Sequence, residues 1–199
     1  MPAAVCALIT GLQPLLTAAL AGPLLGERVS RRQWAGTVIG LIGAALVLAP
    51  QVFSSVQVAA PVAMVAAATA TLAITLGTIW QKRTGGAADL RVGAAIQFAA
   101  AALFLLPAVL VTEKGEFDAS WQAYTALGWS VIGLSVGGMT LLLIMIGRSA
   151  VAVVASLFYL VPPVVAILAF ILFGEALTGV QILGLIVASA GVAIATRGR

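Results

Sequence analysis

The chain has 199 residues, of which 62% are hydrophobic and 8% charged, with a mean hydropathy of +1.18. A soluble domain of this length needs far more polar surface, so soluble enzymes and binding modules are excluded and the class is integral membrane protein. The net charge is +4, there is no histidine, and Cys6 is the single cysteine; neither an intrachain disulfide nor a zinc site can be assembled, and no cofactor is expected.

A bilayer core takes roughly 20 apolar residues per helix. Seven stretches qualify, at 3–25 (span A), 34–50 (B), 58–80 (C), 92–112 (D), 121–147 (E), 149–173 (F) and 179–196 (G). The short alternating segments of a membrane barrel are missing, so the expected fold is all-α with about seven transmembrane helices. The basic cluster follows span A instead of preceding it, the reverse of a secretory signal.

Span A carries Pro14 near its middle, with Thr10, Gln13 and Thr17 on one helical face. The turn "GERVSRRQ" leads into span B, which contains Gly36-x-x-x-Gly40. Thr71, Thr75 and Thr78 form a stripe on C, where hydroxyls are expected to bond carbonyls of their own helix. Gln97 lies within D, and Ser135 within E beside Gly133-x-x-x-Gly137. Such glycine spacings permit close helix contact but arise often by chance in a chain this rich in glycine and alanine. Span F holds Ser156 and Tyr159 on one face and the adjacent Pro162 and Pro163 near its centre. Each proline removes an amide donor and displaces the carbonyl four residues back, which predicts free carbonyls at Thr10, Phe158 and Tyr159. An unsatisfied carbonyl in lipid costs several kcal/mol, so these breaks should face protein, water or a bound molecule.

Seven spans put successive joints on alternate faces. Arg28, Arg31, Arg32, Lys82, Arg83, Arg91, Arg148, Arg197 and Arg199 then share one face, and Lys114 alone takes the other. That asymmetry predicts a cytoplasmic C-terminus and an external N-terminus, and it accounts for the basic balance without invoking nucleic acid. Trp34, Trp80 and Trp121 fall at span ends, as interfacial anchors do.

The opening stretch recurs. Displaced by 148 residues, "LQPLLTAALAGPLLGERVSRRQWAGTVIGLIG" lies over "LVPPVVAILAFILFGEALTGVQILGLIVASAG" without a gap. Leu12 matches Leu160, Pro14 matches Pro162, Gly26-Glu27 matches Gly174-Glu175, Gln33 matches Gln181, Gly36 matches Gly184 and Gly43 matches Gly191. Span A thus corresponds to F and B to G. An odd number of crossings separates each pair, so the copies run in opposite directions, the organisation of secondary transporters. Spans C to G make a complete five-helix unit; A and B are the last two helices of another, which predicts three more ahead of Met1. Glu27 and Glu175 sit at span ends, and Ser30-x-x-Gln33 and Thr178-x-x-Gln181 read as capping boxes. The two carboxylates are therefore expected to serve turns and not a proton relay.

"ASLFYLVPPVVAILAFILFGEALTGVQILGLIVASAGV" strongly resembles the end of an EamA domain of the drug/metabolite transporter superfamily, and "ALITGLQPLLTAALAGPLLGERVSRRQWAGTVIGLIGAALV" resembles the end of a preceding one. The resemblance implies a ten-helix fold of two inverted repeats, with residues 1–50 ending the first and 58–197 forming the second. It also implies a multi-pass inner-membrane protein, not an enzyme, moving small metabolites or drugs by alternating access. Gln13, Pro14, Gln97, Ser135, Ser156, Tyr159, Pro162 and Pro163 are the candidate substrate-binding residues. The expected partners are a small-molecule substrate, the lipid bilayer, and a second copy or complementing helices. The competing reading is a non-transporting membrane fragment or a helical subunit that only packs with a partner.

Overall fold

The computed structural model describes residues 3–54, 61–84, 90–112, 119–174 and 176–197. All elements among them are helical: α1 (Ala3–Thr10), α2 (Gln13–Leu25), α3 (Arg31–Ser54), α4 (Pro61–Thr84), α5 (Leu90–Thr112), α6 (Trp121–Trp129), α7 (Met139–Arg148), α8 (Val151–Ser156), α9 (Val161–Phe173) and α10 (Gly179–Thr196). A π-helical stretch, Ser130–Gly138, joins α6 to α7, and a 3-10 turn, Leu157–Leu160, joins α8 to α9. Seven stretches among the described residues are long and apolar enough to cross a bilayer, and they coincide with spans A to G. Many large side chains point outward, Phe104 and Val111 among them. In water that would be a fault; against lipid tails it is the expected surface.

Two compact units divide the chain, one made of residues 1–81 and 149–199, the other of 82–148. In the smaller unit α5 packs on α7. Lys82 donates its Nζ–H to the Ile146 carbonyl at 2.7 Å, satisfying one of the acceptors that the last turn of α7 leaves open.

The larger unit is organised around α3 and α10, which lie antiparallel with their backbones in contact. A methyl group on Gly36 would come within 2.6 Å of the Gly191 carbonyl oxygen, and one on Gly184 within 2.8 Å of the Gly43 carbonyl oxygen. Residue 36 meets the counterpart of 43, and 43 meets the counterpart of 36. That reciprocity is what a two-fold axis between copies produces. Only hydrogen at these Cα positions lets two helices approach so closely. The Gly36-x-x-x-Gly40 spacing therefore marks a real interface. The Gly133-x-x-x-Gly137 spacing marks none among the described residues, where the nearest groups belong to the same span, Trp129 and Ile132.

Matched positions adopt matched conformations. Gly26 and Gly174 end α2 and α9 with left-handed φ of 70° and 68°, the αL stop that glycine permits. Both capping boxes form: Gln33 N–H donates to Ser30 Oγ at 3.2 Å while Ser30 N–H donates to Gln33 Oε1 at 2.7 Å. Thr178 and Gln181 repeat the exchange at the start of α10. Glu27 does more than serve its turn, since its carboxylate caps α8. Glu175 and Lys114 lie outside the described residues.

Candidate functional site at the paired helix breaks

Spans A and F are each broken, and the breaks precede the prolines instead of following from displaced carbonyls. α1 stops at Thr10, the chain turns through Gly11 and Leu12, and α2 begins with Pro14 in its first turn. In span F, α8 gives way to the 3-10 turn, and α9 begins at Val161 with Pro162 and Pro163 in its first turn. A proline in a first turn costs the helix nothing, because the amide it lacks would have had no partner there. Leu12 and Leu160 both precede these starts with α-region backbone, at φ −76° and −81°. The expectation of a free Phe158 carbonyl is corrected: it accepts from Val161 N–H, because the tighter 3-10 winding pairs residues three apart.

The two breaks meet at a cavity of about 180 Å³. Thr10, Gly11 and Pro14 line it from span A, and their counterparts Phe158, Tyr159 and Pro162 line it from span F. Leu41, Ala44 and Leu48 of α3 close one side. None of the described lining residues carries a charge. The Thr10 hydroxyl is engaged with its own helix, 3.0 Å from the Cys6 carbonyl and 3.1 Å from that of Ala7. The walls therefore recognise shape and apolar surface first, as small-molecule pockets commonly do.

Tyr159 is the largest fully buried side chain among the described residues, at 1% exposure. Its ring fills the notch left by Gly40, where a methyl group would come within 2.6 Å of the ring carbon Cδ2. Its hydroxyl is buried with no hydrogen bond. The backbone of Leu15, in the first turn of α2, faces it without reaching hydrogen-bond geometry.

The other candidate residues are distributed as follows. Pro14, Tyr159 and Pro162 line the cavity. Gln13, Ser156 and Pro163 are buried beside the breaks but do not line it. The Ser156 hydroxyl donates to the Val153 carbonyl at 2.8 Å. Gln97 and Ser135 belong to the smaller unit; Gln97 is exposed, and Ser135 donates to the Ser130 carbonyl at 3.2 Å within the π-helical stretch. Thr71, Thr75 and Thr78 each donate to the carbonyl four residues back, at 2.7–2.8 Å, as expected for threonines in apolar helices. Leu41, Ala44 and Leu48 escaped the sequence reading, because apolar residues on an apolar helix carry no local mark of the face that borders a cavity.

The family model described as "EamA-like transporter family" matches residues 1–49 and 61–197. No curated protein matches the chain. A protein known from a crystal structure is similar to it, with a TM-score of 0.80 and 25% sequence identity over 98% of this chain and 67% of that one.

Proposed function

Because the chain belongs to the EamA-like transporter family, whose place is in the drug/metabolite transporter superfamily, we propose that it carries small organic molecules across the membrane by alternating access, with the substrate lodged where the two helix breaks meet. One observation supports this above the others: three matched residue pairs, from spans running in opposite directions, line a single cavity. In transporters built from inverted repeats, binding sites form at the repeat interface from interrupted helices. The same residues in a packing subunit would have no reason to leave a hollow at matched depth in both copies.

The test uses a chain with Cys6→Ala and Phe158→Cys. Phe158 is 39% exposed and borders the cavity, so a water-soluble maleimide should modify the introduced thiol in membrane vesicles. A panel of small organic molecules is then screened for protection, and the protecting compounds for uptake into proteoliposomes. Protection by a compound that is also transported supports the site. A transported compound that leaves the labelling rate unchanged would move the site elsewhere.

We further propose that the basic face is cytoplasmic and the membrane the inner one, on the nine-to-one distribution of Lys and Arg. A reporter fused after Arg199 should behave as cytoplasmic, and one inserted at Gly115 as external. The opposite pattern would reverse the orientation.

A further inference from the structure

Glu27 follows Gly26, whose left-handed backbone ends α2, and its own N–H returns to the Ala21 carbonyl at 3.3 Å. This turn aims the carboxylate at span F, where Glu27 Oε2 accepts from Val151 N–H at 2.9 Å. Val151 opens α8, and the preceding Ala150 makes no side-chain cap. A carboxylate from a remote span thus supplies the acceptor that the local sequence lacks. Val151 is fully buried and Glu27 half-buried, and a hydrogen bond to a carboxylate is stronger than one between neutral groups.

The placement of this bond matters more than its strength. α2 and α8, the halves of spans A and F at this end, pack on each other. The opposite halves, α1 and α9, make no comparable packing, and the cavity is bordered there by Ala7, Leu8, Val161 and Pro162. The cleft between A and F is therefore shut at the Glu27 end and parted at the other. A hollow of about 530 Å³ stands at the shut end, with Ala150 and Val153 of the α8 entry in its wall. The α3–α10 pair, backbone against backbone, is the poorest candidate for movement. The breaks at residues 11–12 and 157–160 are where half-helices can tilt.

We infer that Glu27 latches the shut end of the span A/F cleft by capping α8, and that this end opens only when that hydrogen bond is released. The inference rests on the transport reading above and assigns a positioning residue to it. The bond breaks when α8 tilts and its amide turns to water or to a helical partner.

The experiment reads both ends at once. In the Cys6→Ala background, Ala155→Cys places a thiol at a buried position of α8, and Leu8→Cys, in a second chain, places one at the parted end. Each is labelled with a water-soluble maleimide in membrane vesicles, with and without Glu27→Ala. The latch predicts labelling at 155 about tenfold faster, the scale of one hydrogen bond to a charged group, and slower labelling at 8. Glu27→Gln keeps an acceptor without the charge and should give a smaller change of the same sign; it carries the test should Glu27→Ala reduce folded yield. Unchanged rates at both positions, or rates that rise together, would overturn the latch and leave Glu27 a stabiliser of its turn. Reciprocal labelling without substrate protection at 158 would instead remove the transport reading and keep the latch.

Discussion

Leucine in place of Gly43 is expected to prevent the chain from accumulating in folded form. A methyl group alone at this position would stand 2.5 Å from the Ala188 Cα and 2.8 Å from its Cβ, with backbone and not a flexible side chain in the way. Overpacking of a close-packed contact costs about 1–3 kcal/mol even where the surroundings yield. Here yielding means parting α3 from α10, the most extensive helix pair of the larger unit. Gly43→Ala should already lower the melting temperature of the detergent-solubilised protein, and Gly43→Leu should abolish the transition. Gly191→Ala should match Gly43→Ala, because the two positions are counterparts across the same axis. Gly77→Ala is the control: nothing lies within 4 Å of its added methyl group, and alanine favours a helix over glycine by up to about 1 kcal/mol. A Gly43→Ala chain as stable as the Gly77→Ala chain would mean that α3 and α10 do not touch.

The second large effect concerns Tyr159. Removing its ring by Tyr159→Ala leaves a void against Gly40 and enlarges the cavity, and truncation of a buried aromatic costs about 3–5 kcal/mol. The variant should still insert, because the span keeps its length and both prolines, but it should melt well below the parent and lose transport. Tyr159→Phe separates the two roles of the side chain. The hydroxyl is buried and unbonded, a state that costs on the order of 1–3 kcal/mol, so the phenylalanine chain should be at least as stable as the parent. Lost transport at full stability in that chain would assign the hydroxyl a partner in another conformation of the transport cycle. A phenylalanine chain that melts lower would show that the hydroxyl is bonded in the resting state.

The sequence by itself determined whatever depends on neighbours a few residues apart. The seven spans follow from composition, the capping boxes at Ser30 and Thr178 from a three-residue spacing, and the threonine bonds from a four-residue one. The repeat, too, was legible, because Pro, Gly and Gln matched at a constant displacement. These features need no knowledge of what packs where. Tertiary structure decided the rest. It separated the glycine spacing of α3, which meets a second backbone, from the identical spacing around Gly133, which meets none among the described residues. It moved the breaks ahead of the prolines, since the chain can end one helix and start another at less cost than it can hold a proline inside one. It turned the Tyr159 hydroxyl inward and carried the Glu27 carboxylate to an amide more than a hundred residues away. Such contacts are set by how helices cross, and in a chain this uniformly apolar no residue announces its partner beforehand.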